Sequence, residues 1–321
     1  MRFPRSFLLC LGALLLHAAI AVADDAELAA VAAVKKLGGT VRLDDQAAGR
    51  PVVGVILSLT KCKDSDLKEL AALKSLQSLA LYRTQVTDAG LKELAGLKSL
   101  KSLDLISTKV TDAGLKELAG LKELEQLGLN FTAVTGSGVK DLAGTKSFQR
   151  LSLVGAKATD EGLKGIAEVK SLRNLYLNQT KITDAGIKEL AGLKELQVLN
   201  LDRTAITDAG LKNLAGLRLE ILEAPNTAQT DTGLKHYLAA LAPSTELDLN
   251  MWRITDAGLK ELADRKDLES LNLQGTNVTD AGLKELAGLK SLRSLNLSQT
   301  KVTKAGVEKL KAELPQCSIT N

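Results

Sequence analysis

The chain has 321 residues, enough for one large domain or two of ordinary size. Hydrophobic residues make up 45% and charged residues 25%, which is the balance of a globular protein and excludes a disordered one. Aromatic residues contribute only 2%, so the core must be aliphatic. Because 42 basic residues nearly balance 38 acidic ones along the chain, the sequence predicts no nucleic-acid partner.

The first 23 residues are typical of a secretory signal peptide. Arg2 and Arg5 give a basic start, residues 7–20 form an apolar run, and residues 21–23 are small residues suited to cleavage. The run is shorter than the roughly 18 apolar residues of a membrane span, and no other segment reaches that length. We expect an exported protein, periplasmic or extracellular, with no membrane span. A buried N-terminal helix is the alternative interpretation of this segment.

The sequence of residues 24–51 indicates an N-terminal cap. Residues 26–37 read as a helix that ends at Gly38, and residues 40–42 and 52–57 read as short strands around a polar turn. Because the terminal units of a stack of repeats need a cover, we expect this segment to shield the unit that follows it.

From residue 52 to residue 321, a 24-residue repeat dominates the sequence. Its most regular segment is TDAGLKELAGL, which begins at Thr87. Close copies begin at Thr111, Thr183, Thr207, Thr255 and Thr279, and degraded copies begin at Thr135, Thr159, Thr230 and Thr303. The spacing slips once, because a residue is lost near 217–219 and one is gained near 242–244. A last partial strand is expected at residues 314–319.

Each repeat predicts a strand followed by a helix. Leu79 and Leu81 alternate with small or polar residues, which is the period of a strand with one buried face. Leu91 and Leu94 share one face of a helix of about ten residues, and Thr87 is suited to cap its N-terminus. Each unit needs neighbours to cover its strand edge and its leucine face. The repeats therefore predict a solenoid.

Two polar positions recur in every regular unit. Asp88 lies in the first helical turn, where the helix dipole favours an anion, and Lys92 is placed to form an ion pair with it. A threonine follows each strand, where its buried hydroxyl can bond turn backbone groups of its own or the adjacent repeat as a polar ladder. These threonines are Thr60, Thr84, Thr108, Thr132, Thr180, Thr204, Thr227, Thr276 and Thr300, and Ala156 and Trp252 interrupt the series.

The run Leu-x-x-Leu-x-Leu-x-x-Thr resembles the leucine-rich-repeat consensus, with Thr where the usual pattern has Asn or Cys. The resemblance covers residues 52–321. The repeat is similar to the cysteine-containing repeats of F-box and ribonuclease-inhibitor-like proteins, and more similar to the repeats of exported planctomycete proteins. The resemblance implies a right-handed α/β solenoid, a horseshoe with a parallel sheet on the concave face and short helices on the convex face.

The sequence offers no set of residues for catalysis, a cofactor or a metal. Outside the leader there is one histidine, His236, with no second His or clustered thiol to complete a nucleophile–base pair or a zinc site. Cys62 and Cys317 lie about ten strand spacings of 4.8 Å apart, whereas a disulfide needs Cα atoms within roughly 7 Å. We expect a monomeric, non-catalytic protein with both thiols buried.

The residues between the strand leucines should face the concave side, and they vary from repeat to repeat. Aromatic and arginine residues of the kind that anchor protein interfaces fall in or beside these columns, followed by an acidic stretch that also contains Glu246. The candidate partner-binding residues are Tyr82, Arg83, Phe131, Arg150, Tyr176, Asp202, Arg203, Glu223, Asp248 and Trp252. Chance variation at unconstrained surface positions is the alternative, and Trp252 is buried if it takes the threonine position.

The leading functional hypothesis is a non-catalytic exported scaffold that binds a protein, or an envelope polymer, through its concave face. A second hypothesis is a structural component of the cell envelope without a discrete ligand, packing through its Lys/Glu-rich convex surface. A third is an adaptor of the ubiquitin-ligase type, suggested by the F-box-like repeats. The predicted signal peptide and the shortness of the segment before residue 52 argue against the adaptor.

Overall fold

The computed structural model describes residues 25–321, so the predicted signal peptide lies outside the described residues. Nine strands form one sheet in chain order: β1 (Thr40–Leu43), β2 (Val52–Ile56), β3 (Ser78–Ala80), β4 (Ser102–Asp104), β5 (Gln126–Gly128), β6 (Arg150–Ser152), β7 (Asn174–Tyr176), β8 (Val198–Asn200) and β9 (Ile221–Glu223). Four more form a second sheet: β10 (Glu246–Asp248), β11 (Ser270–Asn272), β12 (Ser294–Asn296) and β13 (Ser318–Thr320). Apart from the antiparallel pair β1 and β2, neighbouring strands are parallel.

A helical segment follows each repeat strand and covers the opposite side of the core. The α-helices are α1 (Asp25–Lys36), α2 (Asp88–Leu94), α3 (Asp112–Leu115), α4 (Asp160–Ala167), α5 (Asp184–Ile187), α6 (Asp208–Leu211), α7 (Asp231–Ala240), α8 (Asp256–Leu259), α9 (Leu283–Leu286) and α10 (Lys304–Glu313). The 3-10 helices are Asp64–Ala72, Lys116–Leu118, Ser137–Leu142, Lys188–Gly192, Lys212–Leu214, Asn226–Ala228 and Lys260–Leu262. The fold is an α/β solenoid with a parallel sheet and short helices, as the sequence predicts.

Most helices are shorter than the ten residues expected from the sequence. Helix α2 has seven residues, and α3 has four and continues as a 3-10 turn. The last turn tightens because the N–H of Ala95 donates to the carbonyl of Lys92 and the N–H of Leu97 to that of Leu94. This tightening turns the chain back toward the next strand.

The N-terminal cap closes the first edge of the sheet. Helix α1 buries Ala30 and Val34 against the first repeat. The carboxylate of Glu27 accepts a hydrogen bond from the N–H of Val52 at 2.6 Å, which ties α1 to β2. Strand β1 pairs with the free side of β2, so the edge of the parallel sheet is not left open at this end.

Leucine fills the core, and one repeat departs from it at two buried positions. Phe148 is fully buried at a position where other repeats carry Leu. Thr145, also fully buried, replaces the leucine three residues before it. The hydroxyl of Thr145 has no hydrogen-bond partner in the described part of the chain.

Eight of the nine turn threonines bond within their own repeats. The hydroxyl of Thr84 donates to the carbonyl of Leu81 at 2.7 Å, and that of Thr132 donates to Leu129 at 2.6 Å. The same bond from each threonine to the third residue before it is made by Thr60, Thr108, Thr180, Thr204, Thr276 and Thr300. The sequence leaves open whether the hydroxyls bond their own repeat or the adjacent one. These eight close the turn of their own repeat, whereas the hydroxyl of Thr227 donates to the carbonyl of Ile206 in the preceding repeat.

The bonds that do join successive repeats involve the helix-start aspartate. The carboxylate of Asp88 accepts from the N–H of Thr111 at 2.7 Å and from its hydroxyl at 2.6 Å. The expected ion pair with Lys92 is wrong: no such pair occurs among the residues described. The carboxylate instead reaches the next repeat. Asp64, the equivalent residue of the preceding repeat, accepts from the N–H of Thr87 at 2.8 Å, and a Cβ built on Gly90 would lie 2.5 Å from that same oxygen. Glycine two residues after the aspartate therefore makes room for this bond.

Candidate functional site

Each short strand places one leucine in the core and two variable residues on the opposite face. In β6, Arg150 and Ser152 flank the buried Leu151. Because the strands are in register, these variable residues form two columns across the sheet, and Arg150 is level with Gln126 on one side and Asn174 on the other. The candidate residues can therefore be placed by strand and column.

Phe131, Arg150 and Tyr176 lie on or beside three consecutive strands, and we name them the middle patch. Phe131 is 56% exposed in the turn after β5, where its φ of 55° is in the left-handed region. Its ring lies over Gly155, at which any Cβ would collide with it. Arg150 is exposed, Tyr176 is half-buried next to Ser152 on the neighbouring strand, and Arg150 has no ion pair within the described range.

Tyr82 and Arg83 form a separate pair near the N-terminal end. The guanidinium of Arg83 lies over the Tyr82 ring, 5.3 Å from its centroid, which is within the range of a cation–π contact. Arg83 is exposed and has a φ of 52°. The two side chains thus hold each other at the rim of the sheet.

Asp202 and Arg203 are paired with each other in the turn after β8. The Nε of Arg203 lies 3.6 Å from a carboxylate oxygen of Asp202, and both side chains are substantially exposed. An exposed pair of this kind contributes little to stability. It does cancel much of the local charge that each residue would otherwise present to a partner.

The ten candidate residues do not converge on one site. Tyr82 follows β3 and Asp248 ends β10, so seven strand intervals, roughly 34 Å, separate them along the stack. The structure instead groups the candidates into the Tyr82–Arg83 pair, the middle patch, and a C-terminal group near β8 to β10.

The sheet opens between β9 and β10, where no ladder hydrogen bond joins the two strands. Most Cα–Cα distances between them exceed 8 Å, whereas hydrogen-bonded strands lie about 4.8 Å apart. The N–H of Leu201 donates to the carbonyl of Glu223 at 2.9 Å, but the equivalent N–H of Ala224 finds no acceptor on β10. A cavity of about 350 Å³ occupies the gap, and we name it the opening.

The backbone bridges the opening at both ends. On one side the N–H of Ala242 donates to the carbonyl of Leu219 at 2.8 Å. On the other side the N–H of Arg253 donates to the carbonyl of Gln229 at 2.9 Å. The opening is therefore a window in the sheet, and the repeats on either side of it remain joined.

Three departures from the usual repeat residues surround the opening. Ala224 takes the place of the second strand leucine, Tyr237 that of a helix leucine, and Trp252 that of the turn threonine. The two rings pack edge to face, with centroids 4.8 Å apart and an interplanar angle of 67°. Both rings and the small side chain of Ala224 line the cavity between the strands.

Trp252 corrects one expectation for the concave face. The sequence includes it among the partner-binding residues, but the side chain is only 6% exposed and belongs to the core. It packs against Tyr237 because it occupies the inward-facing turn position of its repeat. Its indole lines the opening, so a ligand can touch it only by entering the cavity.

Carboxylates surround the mouth of the opening. Glu223, Glu246 and Asp248 line it and are all exposed, and none forms an ion pair in the structure's described portion. One carboxylate oxygen of Asp248 accepts from the N–H of Asn250 at 2.9 Å. Burial, followed by the negative charges of Glu223 and Asp248, raises the pKa of Tyr237 to about 12. The mouth is therefore electronegative.

Both thiols are buried and free. Burial, with added repulsion from Asp66 and Asp64, raises the pKa of Cys62 to about 12. Burial also raises the pKa of Cys317, partly offset by the positive charge of Arg293. Because the thiolate is the reactive form, neither cysteine is activated as a nucleophile.

Sequence reasoning places Glu223, Glu246, Asp248 and Trp252 near the C-terminal half but does not predict the opening that they share. Three signals for it are present in the sequence. The repeat spacing slips on either side of this unit. Tyr237 and Trp252 are larger than the residues at the same positions in other repeats. Ala224 stands where all the other complete repeats carry the second strand leucine.

Comparison with known proteins agrees with the repeat fold. A family profile described as Leucine Rich repeat matches residues 96–119, 194–215, 266–287 and 288–311. An internalin from Listeria monocytogenes has a similar structure, with a TM-score of 0.54 and 20% identity, and the match covers 94% of this chain and 95% of that one. This chain is a leucine-rich-repeat solenoid.

Two other solved structures are more loosely similar to this leucine-rich-repeat chain. A leucine-rich-repeat protein of Leptospira interrogans has a TM-score of 0.45 and 22% identity, over 79% of this chain and 68% of that one. A plant peptide hormone receptor has a TM-score of 0.44 and 16% identity, over 78% of this chain and 40% of that one. Among proteins with curated descriptions, none matches significantly. The finer likenesses to planctomycete and cysteine-containing repeats stay predictions.

The leucine-rich-repeat fold is commonly a protein-binding scaffold, and its members are typically non-catalytic. Over residues 25–321, no group of three or more His, Cys, Asp or Glu side chains is placed to hold a metal ion. None of the helices described there combines the length and apolar character needed to cross a membrane.

Proposed function

We propose that this leucine-rich-repeat protein is an exported, non-catalytic scaffold that binds a protein, or an envelope polymer, through its concave face. The observation that carries the proposal is the middle patch, where Phe131, Arg150 and Tyr176 occur on or beside consecutive strands. Aromatic and arginine side chains of this kind dominate the energetics of protein interfaces.

The rest of the sheet supports this choice by contrast. Strands β11 and β12 present Ser270, Asn272, Ser294 and Asn296 in the same two columns. Small polar side chains of this kind offer little contact area to a partner. The free guanidinium of Arg150 and the exposed ring of Phe131 therefore distinguish the middle repeats from the C-terminal ones.

The experiment is an affinity capture from the envelope and secreted fractions of the source organism. The bait is the chain from Asp24 to Asn321, run beside the Arg150→Ala/Tyr176→Ala variant. We expect one partner to be retained by the first bait and to fall at least tenfold with the second, because two interface anchors are lost.

A Ser270→Ala/Asn272→Ala variant serves as the matched control, since it changes the same two columns on β11. Retention by this control and loss with the Arg150/Tyr176 variant supports binding at the middle patch. Equal retention by all three baits contradicts that placement. Retention by none favours the structural envelope component over a binding scaffold.

A further inference from the structure

The opening between β9 and β10 has the size and form of a ligand site. Its volume of about 350 Å³ is near the lower end of the range for small-molecule pockets, about 300–1,000 Å³. That space accommodates one long side chain but not a folded segment. The opening faces the same side of the sheet as the middle patch, several strands away from it.

Polar groups in the wall of the opening lack partners. The indole N–H of Trp252 and the hydroxyl of Tyr237 make no hydrogen bond with any described residue, and both residues line the opening. Trp252 is only 6% exposed, but neither polar atom belongs to the buried atoms without a partner, so both keep contact with solvent. An indole N–H can only donate a hydrogen bond, whereas a tyrosine hydroxyl can also accept one. A main-chain carbonyl of a ligand at the opening can therefore accept from the indole N–H.

The backbone beside the opening offers another free group. The N–H of Ala224 lacks the acceptor that every regular strand finds on the next one. The carbonyl of Ala224 is already used, because it accepts from the side-chain amide of Gln229 at 2.9 Å. A peptide whose main chain crosses the mouth of the opening can supply the missing acceptor from one of its own carbonyls.

The charge around the mouth selects the side chain that such a peptide would insert. Glu223, Glu246 and Asp248 carry no compensating basic residue, and no Lys or Arg lines the cavity. Tyr237 and Trp252 also line the cavity, and an aromatic ring attracts a cation that lies over its face. A carboxylate-rimmed, aromatic-walled cavity fits an ammonium or guanidinium group and repels an anion.

The geometry points to a binding site for a basic peptide at the opening. The peptide main chain crosses the mouth of the opening, where one of its carbonyls accepts from the N–H of Ala224. Its Lys or Arg side chain enters between Glu223, Glu246 and Asp248 to meet Tyr237 and Trp252. This inference deepens the proposed concave-face function by naming a ligand chemistry. It rests on residues other than the middle patch, so the two can fail separately.

The chain contains its own reporter, because Trp252 is its single tryptophan. The mature protein is titrated at low salt with a capped pentapeptide that carries one Arg between alanines, while Trp252 fluorescence is recorded. A capped peptide with Gln in place of Arg is run in parallel, as is N-acetylarginine amide. We expect a saturable signal with the Arg pentapeptide and at least tenfold weaker binding of the Gln peptide.

Three variants test the residues. Glu223→Gln/Glu246→Gln/Asp248→Asn should weaken the Arg peptide at least tenfold. Glu123→Gln/Asp141→Asn/Glu168→Gln removes the same charge from exposed, unpaired positions elsewhere and should leave binding within twofold. Ala224→Leu fills the opening with the residue that the regular repeats carry, so it should abolish the fluorescence response while circular dichroism stays unchanged.

No saturable response from the wild-type protein, or equal binding of the Arg and Gln peptides, overturns the inference. Unchanged binding by the Glu223/Glu246/Asp248 variant does the same. Equal affinity for N-acetylarginine amide and the pentapeptide removes the role assigned to the peptide main chain and overturns the peptide part of the inference. None of these outcomes bears on capture through Arg150 and Tyr176, which separates this inference from the proposed function.

Discussion

The regular repeats from β3 to β9 and the irregular unit between β9 and β10 show what one disturbed period does to a solenoid. In the regular region, each strand bonds the next, and each aspartate bonds the next threonine. In the irregular unit, the sheet opens, and Asp208 keeps only the hydroxyl bond from Thr230. The second oxygen of Asp208 is buried without a partner in the described structure.

A solenoid can lose the pairing of one strand with the next and still stay folded, because each repeat contacts only its neighbours. The bridges on both sides of the opening keep the stack continuous, and the strands β10 to β13 resume the parallel register. The lost pairing costs hydrogen bonds at one place only. It also leaves the cavity between β9 and β10.

The largest expected difference lies between the aspartates of the two regions. Asp160 accepts from both the N–H and the hydroxyl of Thr183, at 2.8 and 2.6 Å, whereas Asp208 accepts only from the hydroxyl of Thr230. We expect Asp160→Ala to lower the free energy of unfolding by about 3 kcal/mol and Asp208→Ala by about 1 kcal/mol. Urea unfolding at neutral pH measures both. Equal losses at the two positions would contradict the contrast drawn between the regions.

The second-largest expected difference in the free energy of unfolding lies between two turn threonines. Thr180 is buried and bonds the carbonyl of Leu177, while Thr227, in the irregular unit, is exposed and bonds Ile206 of the preceding repeat. We expect Thr180→Val to lower the free energy of unfolding by about 1–3 kcal/mol, because it leaves a buried carbonyl unpaired. Thr227→Val should cost clearly less, since water can replace its hydroxyl. An unchanged melting temperature for Thr180→Val would remove the role assigned to these hydroxyls.

The smallest expected effect concerns pH in the irregular unit. The pKa of Tyr237 is about 12 in the folded protein and about 10 for an unfolded tyrosine. Because the pKa is higher in the folded protein, the contribution of the neutral Tyr237 hydroxyl to the free energy of unfolding is fully present below about pH 10. It is lost as the pH rises from about 10 to about 12. Between pH 9 and pH 11, the free energy of unfolding should therefore fall by about 1 kcal/mol less in Tyr237→Phe than in the wild type. Denaturant unfolding at both pH values measures this, with Tyr82→Phe as the control. An identical pH response of wild type and Tyr237→Phe would show that the ring is not shielded.

Features that depend on neighbours in the chain could be predicted well. Thr87 caps α2 as expected, since its side chain accepts a bond from the N–H of Ala89, two residues away. Helix α1 and the strand pair β1–β2 also form close to the predicted positions. In each case the deciding contacts lie within one unit, so the pattern of residue types contains the information.

Features that depend on the next repeat could not be predicted in this way. Asp88 was expected to pair with Lys92, four residues on, but it bonds Thr111, which is 23 residues on. Local spacing favours the lysine, whereas stacking the repeats brings the threonine N–H and hydroxyl together against the carboxylate. A pair of short charge-assisted bonds outweighs one exposed ion pair on a helix surface.

The sequence alone determined the solenoid, its aliphatic core and the columns of residues on the concave face, because a 24-residue period with alternating leucines has few other ways to bury its apolar side chains. The tertiary structure decided how those columns are divided. Whether Trp252 faces solvent, and whether β9 meets β10, depend on how Ala224, Tyr237 and Trp252 pack together. These three side chains come from separate segments and meet only in the folded chain, so the spacing of residues along the sequence does not show how they pack.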